Sequence, residues 1–490
     1  MTNSHYPLLF QVNTRVLLTQ LTASLGRNAT LDDIPDSELD NMQAKGFEWI
    51  WFLSVWQTGN EGQRISRTHE GWRKEFSETL PDLRDEDIAG SGFAITAYTV
   101  HEKLGGDAAL ARLRDRLTKR NLKLMLDFVP NHMALDHPWT EHYPEFFVQG
   151  TAENLQRSPL NYVKRGDHIF AYGRDPYFPG WPDTLQLNYG NHELQEALTR
   201  ELIHISDRCD GVRCDMAMLI VPEVFERTWG IKAAPFWPRA ILRVRDHHPG
   251  FIFMAEVYWD MEWELQQLGF DYTYDKRLYD RLRDGHAAPI HGHFCAGLDF
   301  QEKLARFLEN HDEPRAAATF AADAHEAAAV LTFLSPGLRF FHQGQLEGRL
   351  KRISPHLVRA PQEPVNARLQ SFYNRLLEIL QRAAFHNGRW ILLECASAWG
   401  GNESYKNYVA FSWEDSHNEQ YVVAVNYASD RGQCFVKLPF VNLSNAQWKV
   451  RDLLSDATFD RDGNDLASRG MFLDEKPWKY YVFQLIKKRG

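Results

Sequence analysis

Cysteine is scarce in this chain: five in 490 residues, at 209, 214, 295, 395 and 434. An odd number at wide spacings forms neither a disulfide framework nor a zinc-binding pattern, and it fits a reducing compartment. Positive charge is also short. Lys and Arg number 55 against 65 Asp and Glu, for a formal net charge of −10. The basic face of a nucleic-acid binder is therefore missing. No window approaches the roughly 20 apolar residues of a membrane span. The opening residues, Met1 to Pro7, lack a basic region followed by a long apolar stretch, so no signal peptide and a cytoplasmic location are expected. There is no internal repeat and no low-complexity tract, and nothing in the composition sets an oligomeric state.

What is present is ordinary globular material in quantity. The chain is 44% hydrophobic and 24% charged, long enough for roughly two to four domains of about 100–200 residues each. Its one surplus is aromatic, 13% with 15 Trp, which serves core packing and sugar platforms alike. This balance admits a neutral small-molecule or sugar substrate.

The stretch Leu124-Met125-Leu126-Asp127-Phe128-Val129-Pro130-Asn131-His132 sets the frame. Pro130 cannot donate to a sheet ladder and favours an extended residue before it. The apolar run therefore reads as a buried strand that stops at Phe128 or Val129, with His132 just past its C-terminal end. Similar runs begin at Leu8, Phe47, Asp210, Phe251, Phe270, Leu304 and Leu338, most of them separated by helical patterns such as 107–120, 194–209, 236–247 and the Ala-rich 316–332. Eight strands in regular βα alternation predict an α/β fold, a closed (β/α)8 TIM barrel. Residues 31–45 read as helical with a stop at Gly46, and 57–91 as an elaborated loop with helical turns.

Residues 133–185 are too long for a βα loop and lack helical periodicity. They read as a subdomain inserted after the third strand. Beyond residue 389 short β-rich runs appear at 408–411, 421–425, 434–438 and 480–485, the pattern of a C-terminal antiparallel β-sandwich. The expected plan is barrel over 1–132 and 186–388, insertion over 133–185 and sandwich over 389–490.

Polar residues cluster at four strand ends: His132 after the third, Arg213 and Asp215 at the fourth, Glu256 at the fifth, and Asn310-His311-Asp312 after the seventh. In a barrel these ends converge on one mouth. Arg213 and Asp215 are two apart and share a strand face, so the guanidinium keeps Asp215 ionised as a nucleophile. Glu256 follows Phe-Ile-Phe-Met-Ala, apolar surroundings that raise its pKa and suit a proton donor. A nucleophilic carboxylate facing a protonated carboxyl is the retaining glycosidase pair. His132, His311 and Asp312 carry groups that hold sugar hydroxyls.

The sequence resembles the α-amylase superfamily, glycoside hydrolase family 13. The resemblance rests on Asp127-Phe128-Val129-Pro130-Asn131-His132, Gly211-Val212-Arg213-Cys214-Asp215, Ala255-Glu256, Asn310-His311-Asp312 and a weaker Gly337 to Gly344 segment. It implies Asp215 as nucleophile, Glu256 as acid/base and Asp312 as transition-state stabiliser, with Arg213, His132 and His311 around the same sugar unit. The aligned aromatic platform is Phe93, which can stack but cannot donate a hydrogen bond. Tyr258 and Trp259 fall on the acceptor side, and Cys214 reads as a small packing residue. Asp136-His137-Pro138-Trp139 resembles the exo-acting α-glucosidase branch and its sucrose- and trehalose-processing relatives. Many members place Lys-His after the nucleophile, where the His carbonyl helps hold calcium. Here Met218-Leu219 stand in those positions, although Asn131 matches another usual calcium ligand, so no metal or other cofactor is expected.

The resemblance implies a retaining enzyme that cleaves α-glucosidic bonds of small α-glucosides or oligosaccharides by double displacement. A transglycosylase or phosphorylase with a sugar, polyol or phosphate acceptor shares the first step. A non-catalytic carbohydrate-binding relative is the reading from another class, and known examples lack carboxylates that this chain retains.

Overall fold

The structure, a computed structural model, describes residues 5–488. The reading of the first four residues as part of a leaderless start lies outside them. Eight parallel strands close a barrel in strict chain order: Leu8–Asn13, Trp49–Leu53, Lys123–Phe128, Gly211–Cys214, Ile252–Ala255, Tyr272–Tyr274, Leu304–Arg306 and Leu338–His342, the last pairing with the first. Every expected barrel strand forms. Trp49–Leu53 and Leu338–His342 are buried along their whole length, as strands covered on both faces must be. The seventh strand is shorter than its apolar run, because the chain turns after Arg306 to build the site described below.

The crossovers follow local rules. In the helix Gly106–Thr118, Ala109, Leu110, Leu113 and Leu117 face inward. Arg112 and Arg116, on its outer face, ion-pair with Asp32 and Asp36 at 2.7 and 2.8 Å. The stretch read as one helix over 31–45 is a short turn, Leu31–Asp33, and a helix, Asp36–Ala44. Pro35 between them cannot continue a helical ladder. The Ala-rich helix likewise divides into Ala316–Thr319 and Ala322–Phe333, and the second part is buried nearly all round.

Two features were not visible in the sequence pattern. A helix, Thr14–Leu25, is capped by the Asn13 side chain and ended by Gly26 at φ 67°. The segment read as a loop with helical turns over 57–91 holds two helices, Asn60–Thr68 and Glu70–Thr79. A strand pair, Trp56–Thr58 with Ile95–Val100, frames these helices.

After the third barrel strand the chain forms a four-stranded antiparallel sheet, ordered His132–Ala134, Trp181–Gln186, His168–Gly173, Tyr162–Arg165. The C-terminal part has a six-stranded and a three-stranded antiparallel sheet. It is tied to the barrel by Trp413, whose indole N–H donates to the Leu334 carbonyl at 2.7 Å, and by Tyr427, whose hydroxyl donates to the Leu282 carbonyl at 2.7 Å. All five cysteines are free thiols. Among the described residues no helix is long and apolar enough to cross a membrane.

Candidate active site

The strand ends meet at a cavity of about 310 Å³ between barrel and insertion. Its lining includes Phe93, His132, Asp215, Glu256, Tyr258 and Asp312. Arg213 and His311, both fully buried, lie directly beneath. The structure thus brings all eight site residues named from the sequence into one place. A larger cavity, about 700 Å³, opens among Lys123, Asp210 and Phe251 at the N-terminal ends of the strands. That is the face of a barrel concerned with stability rather than chemistry.

Arg213 is the electrostatic centre. Its Nη1 lies 2.6 Å from Asp215 Oδ1 and its Nη2 lies 2.7 Å from Glu256 Oε2, with Asp312 Oδ2 at 4.0 Å. One guanidinium thus spans both carboxylates, Glu256 as well as the Asp215 to which the two-residue spacing pointed. Its Nε donates to the Tyr274 hydroxyl at 3.3 Å. The rings of Phe93, Trp51 and Tyr274 pack around it at 5.3–5.7 Å. Burial opposes its charge, but Glu256, Tyr274 and Asp215 outweigh that and hold it firmly protonated.

The two carboxylates are locked by a backbone turn. Asp215 N–H donates to the Phe128 carbonyl at the end of the third strand, 2.8 Å. Met216 then adopts φ 42°, ψ 47°, a left-handed conformation costly for a side chain of this size. In this turn its N–H donates to Glu256 Oε2 at 2.7 Å. Tyr258 donates its hydroxyl to the other oxygen, Oε1, at 2.9 Å. Burial raises Glu256 to about 7, and the charges of Asp215 and Asp312 add to that against Arg213. The apolar setting expected from sequence is real, but three polar contacts lie inside it.

A turn after the seventh strand presents the third carboxylate. Asn310 Oδ1 accepts from the N–H groups of Asp312 and Glu313 at 2.8 and 2.9 Å, an Asx turn. Glu309 accepts from Arg315 and from the Ala316 N–H, which anchors the turn from below. His311 receives the Gln11 amide on Nδ1 at 2.8 Å, which leaves its proton on Nε2, 2.9 Å from Asp312 Oδ2. Desolvation works against the Asp312 charge, yet His311 and Arg213 hold it down to about 2.

Phe93 packs against His311 with its ring tilted by 30°, centroids 5.4 Å apart. It follows Gly92, where a Cβ would fall 1.9 Å from Ser54 Oγ, so only glycine allows the loop this close to the barrel. His132 is buried, which lowers its pKa by desolvation, and meets Trp181 edge-on at 5.2 Å. Asp127, the acid of the first motif, is structural. It accepts from Trp51 Nε1 and the Ser54 N–H at 3.0 and 2.8 Å, and burial lifts it to about 6. Asp136 is also structural, receiving the Glu61 N–H at 3.1 Å.

Sequence reasoning missed Trp72, Ser91, Trp181, Asp183, Thr184 and His356, which complete the wall. Most come from the insertion and from the helical segment after the second strand, where no periodic signal marked them. Tyr274 was passed over as one more residue of the sixth strand.

The residues of the calcium position do not fit that ion. The Gln186 amide nitrogen donates to Asn131 O, Asn131 Oδ1 and Leu187 O at 2.9, 3.0 and 3.2 Å, so both Asn131 oxygens are already engaged. Met218 and Leu219 are buried apolar residues. Among the described residues no group of three or more His, Cys, Asp and Glu is placed to hold a metal.

The family described as "Alpha amylase, catalytic domain" matches residues 37–277. Alpha-amylase MalA of Haloarcula japonica is 27% identical over 282 residues, 56% of this chain and 39% of that protein. Alpha-amylase 3 of Dictyoglomus thermophilum is 22% identical over 298 residues, 56% of this chain and 57% of that protein. The match therefore spans about two-fifths to three-fifths of these relatives. Among solved structures, the maltogenic α-amylase AmyB of Thermotoga neapolitana superposes with a TM-score of 0.71 at 17% identity, covering both chains fully.

Proposed function

Because this chain belongs to the α-amylase superfamily, we propose that it is a retaining glycoside hydrolase of short α-glucosides. The observation that carries the reading is Arg213 spanning Asp215 and Glu256 at 2.6 and 2.7 Å. Two carboxyl groups on one guanidinium are compatible with the roughly 5–5.5 Å separation of retaining enzymes.

In the first step Asp215 attacks the anomeric carbon and the glycosidic C–O bond breaks. Glu256 gives its proton to the departing oxygen. Glu256 Oε2 faces the Arg213 guanidinium and accepts from the Met216 N–H, so the transferable proton sits on Oε1, where the Tyr258 hydroxyl can switch from donor to acceptor. In the second step Glu256 takes a proton from water, the hydroxyl adds to the anomeric carbon, and the bond to Asp215 breaks. Asp312, low in pKa, stays anionic beside the developing positive charge, which is where fixed charge lowers a barrier most. His132 holds a ring hydroxyl, His311 steadies Asp312 from beneath, Phe93 offers an apolar face and Tyr258 borders the acceptor side.

The small cavity supports short substrates. A panel of maltose, isomaltose, sucrose, trehalose and soluble starch, with product chromatography, tests the reading. Asp215→Asn is expected to abolish turnover while the melting temperature stays near that of the parent. Near-normal activity in that variant removes the assignment. Glycosyl transfer to added sugar, polyol or phosphate in place of free glucose makes the enzyme a transferase or phosphorylase instead.

A further inference from the structure

We propose that Asp183 is a specificity residue that receives a hydroxyl of the bound sugar. This rests on the reading of the cavity as a glycoside site. Asp183 lies on Trp181–Gln186, the insertion strand paired with His132–Ala134, and lines the same cavity as Asp215, Glu256 and Asp312.

Its charged and hydroxyl neighbours in the wall each have a partner. Asp215 and Glu256 share Arg213, and Asp312 has His311. Ser91 accepts from the Phe93 N–H. Thr184 donates to the Trp181 carbonyl, and His356 bonds Ser66. Asp183 is 3% exposed, and its Oδ2 has no hydrogen-bond partner among the described residues. No Lys, Arg or His lies within ion-pair distance of it among them. A buried carboxyl in this state is costly unless something completes it. Burial raises it to about 7, so near neutrality a substantial share of the groups carries a proton. A neutral carboxyl offers one donor and one acceptor, the same complement as a sugar hydroxyl. It sits where the insertion closes over the barrel, and the residues beside it, Trp181 and Thr184, belong to the same strand. The insertion would thus read a hydroxyl, while the barrel residues carry out the bond cleavage.

The experiment is a set of double-mutant cycles between protein and substrate. Parent, Asp183→Asn and Asp183→Leu enzymes are assayed on 4-nitrophenyl α-glucoside and on its 3-, 4- and 6-monodeoxy analogues. Asp183→Leu is expected to lower kcat/KM on the full substrate about ten-fold or more, since a substrate hydroxyl loses its partner. One monodeoxy analogue is expected to lose a similar factor on the parent enzyme and nothing further on Asp183→Leu. Asp183→Asn keeps a donor and an acceptor and is expected to stay within about three-fold of the parent.

Equal losses for every analogue on parent and Leu variant would overturn the assignment, as would an Asp183→Leu enzyme that matches the parent on the full substrate. If the Leu variant does not fold, Asp183→Ala takes its place in the cycle. A parent enzyme that treats all three analogues like the full substrate overturns the proposal without any variant. A parent enzyme that cleaves no α-glucoside defeats the functional reading instead. Calorimetric titration with maltose then judges Asp183 separately: about ten-fold weaker binding by the Leu variant sustains it, and equal affinities refute it.

Discussion

Replacing Glu256 with Gln tests the proton donor through two independent quantities. The carboxyl stands at about 7 in the folded protein, against a model-compound value of 4.5, because burial and the charges of Asp215 and Asp312 outweigh Arg213. A folded-state pKa above the unfolded one means the folded protein holds its proton longer. Stability from this group is therefore undiminished below about pH 4.5 and falls as pH rises, until the group is fully ionised above about 7. At about 1.4 kcal/mol per pH unit the loss across that window is roughly 3 kcal/mol. Gln does not titrate. Whatever constant difference the substitution introduces through Arg213, the stability of Glu256→Gln relative to the parent should shift in its favour by roughly 3 kcal/mol between pH 4.5 and 8. Urea unfolding of both proteins across that range reads it directly.

The kinetic arm is independent of folding energetics. General acid catalysis is worth about 10²–10⁴-fold, so Glu256→Gln should lose that factor on maltose. Its loss should be much smaller on α-glucosyl fluoride, whose leaving group needs no proton. The parent enzyme should lose activity on maltose with a midpoint near pH 7, and that limb should be absent from the variant's glycosylation step. A pH-independent stability difference, together with equal losses on both substrates, would refute the assignment of Glu256 as the buried acid.

Two further outcomes follow from the site's packing. Arg213→Met leaves Asp215 and Glu256 buried without their shared cation, so unfolding free energy at pH 8 should fall by about 3–5 kcal/mol. A loss below about 1 kcal/mol in urea titration would mean the pair is solvated. Because the Gln186 amide already engages both Asn131 oxygens, EDTA should leave the melting temperature and activity unchanged. Gln186→Ala, which strands the Asn131 oxygens, should cost about 1–3 kcal/mol. A rise in melting temperature on adding calcium to the parent protein would contradict this.

The barrel could be read from the chain because its strands are buried on both faces and so appear as unbroken apolar runs. The candidate site groups could be read because each stands at the end of such a run. Arg213 and Asp215 illustrate this, since their two-residue spacing alone places them on one side of a strand. The helix Thr14–Leu25 was not legible, because its polar and apolar residues do not segregate cleanly and its cap, Asn13, is also the last residue of a strand. The strand Ile95–Val100 was hidden for a related reason: its partner is only three residues long and the pairing is irregular. Asp183 carried no signal at all. A single acid between Pro182 and Thr184 acquires meaning only when the insertion sheet folds it into the cavity wall and leaves its oxygen without a partner. Tyr258 was placed near the acceptor, and its grip on Glu256 Oε1 emerged only from the three-dimensional arrangement.

The proposed covalent step can be tested directly. Incubation with a fluorinated glucosyl fluoride that reacts readily but is released slowly, followed by proteolysis and tandem mass spectrometry, locates the sugar on the chain. The expected result is one glucosyl adduct, on the peptide containing Cys214-Asp215-Met216 and carried by Asp215. An adduct on any other carboxylate, or complete turnover with inversion at the anomeric carbon and no adduct, would contradict Asp215 as the nucleophile.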